Sequence, residues 1–465
     1  PIIIEWDKLQ LTDFYNMCDV KILVELNRII KQTFKNVIPI QYQKANNDFE
    51  MDNITKLFYD ALTDFHIDFN KLTAPTTATT DLILYILLIH VNKGVVHNMK
   101  LTVSKDLLLQ YINIVNKAVS NRTTLPILEC ILLTADHKGF VMTGNDLEIG
   151  IKTAPIDADI EEMGEVAIEA RIFNEIVRRL NGETVTIETD DKYAVSIVSG
   201  SSEFKIMGQN GDDFPDLPAV EQEKMYSMEQ AKLRDMIRQT IFSIAQDGSK
   251  PVLTGELFEL KDTSVNVVSV DGYRISFRKN SLMMGSGETE VIVPGKTLSE
   301  LNKILSQEEE DTLSMYLTEK HILFDLGNAI MVSRLIEGDF IRYAQSFSED
   351  YKTKMIIDKN ELIQALERAS LVSRDNRKTP VRLMLRNGGM DITARSDMGT
   401  AHESVAADVE GDDLSIAFNP RYLIEALRSI EDESVKMIFM ASLSPCTILP
   451  VSGDAFKYLI LPLRM

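Results

Sequence analysis

Two periods of apolar and polar alternation run through most of this chain. Stretches such as "ETVTIETDDKYAVSIVSGSSEFKIMG" (183–208) switch at every second residue and place turn formers between the switches, which predicts antiparallel hairpins. Others, "RIFNEIVRRLN", "KTLSELNKILS" and "RYLIEALRSIE", return to an apolar residue every three or four positions, which predicts amphipathic helices. These helices are copies within a longer repeat. Phe173, Leu298 and Leu423 lie 125 residues apart, as do Glu175, Glu300 and Glu425. An aspartate recurs between strand pairs, at Asp146, Asp271 and Asp397, where one carboxylate per unit reads as a turn former.

An earlier helix recurs too, in "SKDLLLQYINIVNKAV", "SMEQAKLRDMIRQTIFSI" and "DKNELIQALERASLV". Ser227 with Gln230, and Asp358 with Glu361, read as capping boxes. Each of these helices is followed by a basic loop and then a proline, Pro126, Pro251 or Pro380, expected to begin a strand because proline cannot donate to a ladder. "MMGSGETE" lacks the lysine of a phosphate loop and reads as a hairpin turn. The expected class is α+β: three tandem units of helix, strands, helix, strands, with antiparallel sheets. Boundaries near "DDFPDLP" and "EGDFIRY" divide them into 99–217, 218–344 and 345–465.

Residues 1–98 differ. They hold one glycine, Gly94, and one arginine, Arg28, and segments such as "VKILVELNRIIKQTF" have helical spacing. They read either as a small helical extension or as an upstream-extended start before Met99, and the second is the expectation.

Composition narrows the function. Six scattered histidines offer no pair at metal-ligand spacing, and Cys18, Cys130 and Cys446 suit neither a disulfide framework nor a zinc site. No nucleophile elbow is present, so no catalytic residue, cofactor or metal is expected. The apolar run Leu82 to Ile89 is short of the ~20 residues that span a bilayer, no signal peptide is visible, and the three dispersed cysteines point to a reducing cytoplasm. A formal charge of −21 argues against nucleic acid only if it is spread evenly. It is not. Acids crowd "DADIEEMGE", "SQEEEDT" and "EGDD", whereas the helices carry Lys105, Lys117, Arg171, Arg178 and Arg179, then Lys232, Arg234, Arg238, Lys296 and Lys303, then Lys359, Arg368, Arg421 and Arg428. Such cations are also what any solvated helix face carries.

In order and spacing, "MKLTVSKDLL", "TLPIL", "DDFPDL", "SVDGYRIS", "EGDF", "FNPRYL" and "LPLRM" make residues 99–465 resemble the bacterial DNA sliding clamps, the β subunit of the DNA polymerase III holoenzyme. Residues 1–98 have no counterpart there. The resemblance implies three tandem clamp folds per chain, each of two helices on antiparallel sheets, closing head to tail as a homodimeric ring with helices lining the hole. It also implies a non-catalytic processivity factor that encircles double-stranded DNA without sequence specificity. Its implied partners are the replicative polymerase, the clamp loader and repair proteins, held through short linear peptides, with no membrane. A clamp-fold scaffold that binds peptides without encircling DNA is the alternative.

Arg122, where that family places a DNA-contacting arginine, and the other cations before the repeated proline, Lys250, Arg377 and Lys378, become candidates for phosphate contact, joined by Arg178 and Arg238 on the helices. Ring closure is implied between Phe204 and Ile206 on an edge strand and Leu371 and Val372 at a helix end, all four being ordinary core residues otherwise. The implied peptide cleft has one wall of Leu459, Leu461, Pro462, Leu463 and Arg464, faced by Leu253, Val270, Gly272, Tyr273, Arg274 and Ile275, with Ile341 and Tyr422 at the rim. Alternation would turn Leu459, Leu461 and Leu463 to one face, and the tail would then also complete the last sheet. Ile341 stands where the family usually has proline, and Gln345 and Ser346 where it has a basic and an apolar residue.

Overall fold

The computed structural model describes residues 98–120, 123–220, 224–348, 350–372 and 379–464. The helical segments expected within 1–97, and the candidate cations Arg122, Arg377 and Lys378, lie outside them.

Six helices are placed as the periodicity predicts: α1 (Lys105–Val115), α2 (Ala170–Arg179), α3 (Gln230–Arg238), α4 (Gly295–Ile304), α5 (Lys359–Ser370) and α6 (Pro420–Ser429). They pack in pairs, α1 on α2, α3 on α4 and α5 on α6, over antiparallel sheets. Asp358 caps α5 by accepting the Glu361 amide at 2.8 Å, and Asn419 caps α6, whose first residue is a proline that needs no amide partner. The second expected cap is wrong. Ser227 lies inside the strand Lys224–Glu229, which runs straight into α3. Gln230 is instead a buried clamp: its Nε2 donates to the Thr312 and Leu326 carbonyls and its Oε1 accepts the Ser306 amide.

The prolines also divide. Pro380 directly precedes the strand Val381–Arg386, but Pro126 and Pro251 open single 3₁₀ turns, Pro126–Glu129 and Pro251–Leu253, where a fixed φ and a missing amide suit the first helical position.

Two nine-stranded sheets each cross a boundary between repeats. In one, Ile149–Thr153 of the first repeat pairs antiparallel with Ala329–Arg334 of the second. In the other, Arg274–Ser281 of the second pairs with Phe456–Ile460 of the third. What remains is a five-stranded sheet of the first repeat, ending on the edge strand Ser202–Met207, and a four-stranded sheet of the third, ending on Gly399–Ala406.

The recurring aspartates form the same tight turn in the first two repeats. Asp146 Oδ1 accepts the Glu148 and Ile149 amides, and Asp271 Oδ1 accepts those of Tyr273 and Arg274, with Gly272 between them at φ +88°, where a side chain would be strained. In the third, Ser396 Oγ takes over by accepting the Met398 amide.

"MMGSGETE" is not a hairpin. Its flanking strands, Arg274–Ser281 and Thr289–Pro294, are separated in the sheet by two others, so the segment is a crossover. It runs beside the strand Lys224–Glu229, meeting it at the bridge Ser227 to Met284, at Ser286, whose Oγ accepts the Met225 amide (3.2 Å), and at the Gly287 carbonyl, which accepts from the Tyr226 hydroxyl (3.1 Å).

Candidate functional site

The tail strand Phe456–Ile460 lies against Arg274–Ser281 with Leu459 opposite Ile275 and Ile460 opposite Arg274. Its two faces serve different cores. Tyr458 and Ile460 enter the third repeat's core, whereas Leu459 joins Leu253, Leu257, Val268, Val270, Ile275, Ile292 and Tyr343 in a separate apolar cluster under the cleft. Regular alternation stops at Ile460. The Leu461 amide reaches back to the Tyr273 carbonyl (2.9 Å) and its side chain is 40% exposed. Pro462 has no amide to continue the ladder. The Leu463 amide donates instead to the Ala417 carbonyl at 2.8 Å, and its side chain lines a separate cavity of about 260 Å³ beside Arg382, Ser415 and Leu443. The structure therefore does not bring Leu463 to the cluster of Leu253, and Arg464 is exposed beyond it.

At the rim, Tyr273 of the second repeat stacks on Tyr422 of the third (centroids 6.0 Å apart, 23° between planes), and Ile341 is exposed. Arg274 is buried beneath them. Its Nε donates to Asp271 Oδ2 (2.9 Å), Nη1 to Glu425 Oε2 (2.5 Å) and Nη2 to the Phe242 carbonyl, with the guanidinium 4.6 Å from the Tyr422 ring centroid. It rivets two repeats together and offers no open charge to a ligand.

Sequence reasoning missed the aromatic group Phe277, Tyr343 and Phe347, whose centroids lie 6.1 to 6.5 Å apart beside the cluster. The signal was the apolar spacing of Phe340, Tyr343 and Phe347 after "EGD". The Tyr343 hydroxyl donates to Glu259 (2.7 Å); burial first, then that carboxylate, raise its pKa well above the ordinary phenol range.

It also missed Glu256, which is fully buried in the strand Gly255–Leu260 with neither carboxyl oxygen partnered. Burial pushes its pKa up to about 8, eased slightly by the Thr240 hydroxyl, which is itself committed to the Met236 carbonyl at 2.7 Å. An unfolded glutamate titrates near about 4.3. The folded state therefore holds the extra proton, and its stability is fully present below that unfolded value and is lost as pH rises through 8. We expect wild type to lose about 3–5 kcal/mol between pH 5 and 9 relative to Glu256→Gln, measured by denaturant unfolding. A constant difference between the two would mean that the carboxyl is ionised in the fold.

The helix cations are less free than their sequence suggests. Lys232 pairs with Glu229, Lys303 with Glu300, Arg421 with Glu425 and Arg428 with Glu367, at 2.5 to 2.7 Å, and Arg238 bridges Asp235 and Glu431. Acids therefore sit on the helices too, and not only on the loops. Such exposed pairs are worth at most about 1 kcal/mol and can be exchanged for phosphate. Arg178 and Lys250 are exposed and carry no ion pair among the described residues. Phe204 is 40% exposed on its edge strand and Leu371 80% exposed at the end of α5, whereas Ile206 and Val372 pack partly against the cores. No helix among the described residues is long and apolar enough to cross a membrane.

Profiles of the N-terminal, central and C-terminal domains of the DNA polymerase III beta subunit match residues 99–218, 227–341 and 345–464. This chain belongs to that family. A beta sliding clamp of Halalkalibacterium halodurans is 35% identical over 379 residues, covering 79% of this chain and 100% of that protein. One from Staphylococcus aureus is 35% identical over 375 residues, covering 79% and 99%. Among solved structures, a DNA polymerase III beta subunit of Eubacterium rectale (41% identity, TM-score 0.76) and the DNA polymerase sliding clamp of Bacillus subtilis (33%, 0.77) each superpose on 79% of this chain over their full length. A Pseudomonas aeruginosa sliding clamp bound to griselimycin is 27% identical, with a TM-score of 0.75 over the same share of this chain and all of that one.

Proposed function

We propose that two copies of this chain close head to tail into a ring of six repeats that encircles duplex DNA. The ring slides without reading sequence and tethers the replicative polymerase, the clamp loader and repair proteins through short peptides seated in the cleft. The role is non-catalytic and belongs to the cytoplasm.

The sheet edges carry this reading. Each junction inside the chain joins half-sheets into nine strands, and the two smaller sheets, of five and four strands, present Ser202–Met207 and Gly399–Ala406 at one edge each. Pairing Ser202–Met207 of one copy with Gly399–Ala406 of the next makes a third sheet of nine strands like the two inside the chain and covers these two edge strands, which would otherwise template aggregation. At that seam Phe204 and Ile206 meet Leu371 and Val372. The cleft recognises a peptide by its apolar anchors, the way a groove lined by Leu253, Val270, Ile275 and Leu459 can, with Gly272, Tyr273, Ile341, Tyr422 and Leu461 shaping the entrance.

Retention on nicked circular DNA, lost on linearisation, tests encirclement directly. In the same assay, reversing charge at Arg122, Lys250 and Arg377 should weaken loading and flatten its salt dependence by about one unit of log–log slope per phosphate contact removed. Arg178, Arg238 and Lys378 are expected to contribute in the same way. Retention after linearisation would favour a peptide scaffold, and an unchanged slope would put the DNA elsewhere.

A further inference from the structure

The apolar cluster under the cleft continues past it along the sheet. Ile275 and Leu459 face each other across the ladder that joins the second repeat to the third, and one step further along the same face Phe277 stands opposite Lys457. Phe456 and Tyr458, which alternate with Lys457 and Leu459, enter the third repeat's core instead. Phe277 and Phe347 pack against the cluster that holds Leu253, Ile275 and Leu459, so one apolar surface runs from the cleft floor to the aromatic group. It stops at the Lys457 ammonium, 5.9 Å from the Phe347 ring centroid.

Lys457 is partly exposed and pairs with no carboxylate among the described residues. Its ring contact is worth about 0.5–1 kcal/mol, and an ammonium with three donors can keep that contact and take a carboxylate as well. The acids around it are engaged elsewhere. Glu259 accepts the Tyr343 hydroxyl at 2.7 Å and the Asn266 side-chain amide at 2.8 Å. Asp454 is held by Lys279 at 2.9 Å; that lysine is the main cause of its lowered pKa, and Lys457 a lesser one. The turn over this surface, Tyr343–Ser346, carries no charge, and Arg342 just before it is exposed.

We infer that Lys457 selects among the peptides the cleft can hold, by pairing with an aspartate or glutamate two or three positions from the apolar anchor seated on Ile275 and Leu459. Two residues of extended chain cover about 6.6 Å, the step that separates Leu459 from Lys457 along their strand. The inference rests on the reading of this cleft as a peptide site and adds to it the chemistry of the peptide's flank. The apolar anchor supplies adhesion, whereas the charge decides between peptides with the same anchor, as charge complementarity does at interfaces generally. The rings of Phe277 and Phe347 keep water from one side of the ammonium, which strengthens the pair over a fully exposed one.

The test is fluorescence titration of the full chain with peptides that share one apolar anchor and carry aspartate, asparagine or lysine two or three positions before or after it. At one of these placements aspartate should bind about threefold to fivefold tighter than asparagine at low salt, and the gain should shrink as salt rises. Lys457→Gln should abolish that gain and leave the asparagine peptide within about twofold of wild type, and Lys457→Glu should pass the preference to the lysine peptide. Arg342→Gln, which removes a neighbouring exposed cation, should leave the preference intact. Equal binding of aspartate and asparagine at every placement would overturn the assignment, as would a preference that Arg342→Gln removes as fully as Lys457→Gln does. Asparagine peptides that bind without any charge preference sink this inference alone, while a wild-type chain that binds none of the peptides sinks the cleft reading with it.

Discussion

Replacing Leu371 and Val372 with aspartate should turn the dimer into folded monomers that no longer stay on circular DNA. Leu371 is 80% exposed within its own protomer, so a charge there disturbs no internal packing, and Val372 is only partly covered by the third repeat's core. Against a partner's Phe204 the same charge would be buried unpaired, at about 3–5 kcal/mol. Leu371→Asp alone serves as the milder variant should Val372→Asp loosen α5. Gel filtration with light scattering reads the outcome, and a dimer of unchanged affinity would place the seam elsewhere.

The other large effect is expected at the tail. Deleting Leu461 to Met465 removes the Leu461 amide's bond to Tyr273 and the Leu463 amide's bond to Ala417, but leaves the strand Phe456–Ile460 and its ladder complete. The ring should therefore persist, while fluorescence titration with polymerase-derived peptides should show affinity falling by about thirtyfold or more, the effect of losing a central anchor contact of about 2 kcal/mol. Leu461→Asp should do nearly the same. Leu463→Ala should change affinity by less than about threefold, because Leu463 lines the cavity beside Arg382 and is not part of the cluster around Leu253. Tight binding by the truncated ring would remove the tail from the cleft wall.

How far the sequence could be read depended on whether a feature is local. Helix positions, most hairpins and the aspartate turns of the first two repeats follow from period and spacing, which act over a few residues, and the 125-residue repeat carried each reading from one unit to the next. The failures share a cause. Ser227 looked like a cap because a polar residue before a helix usually follows a loop, but here the strand enters α3 directly. Glu256 sits in "GELFEL", where nearly every residue is buried, so alternation could not tell which face the carboxyl takes. Arg274 looked like a cleft cation until Glu425, 151 positions away, was found to hold it. The crossover at Gly287 was hidden because a turn signal does not say which strands it connects.

The edge strands Ser202–Met207 and Gly399–Ala406 also set how such a ring comes apart. Head-to-tail pairing gives it two identical untethered seams, so a substitution at one is felt twice, and a tenfold weakening per seam becomes about a hundredfold in the dissociation constant if the seams act independently. When one seam parts, the other keeps the free edges near each other at an effective concentration on the order of millimolar. Opening and dissociation are then different events. A gap wide enough to admit a duplex costs one seam, and loss of the partner costs both at once, so the ring can be opened for loading far more often than it falls apart.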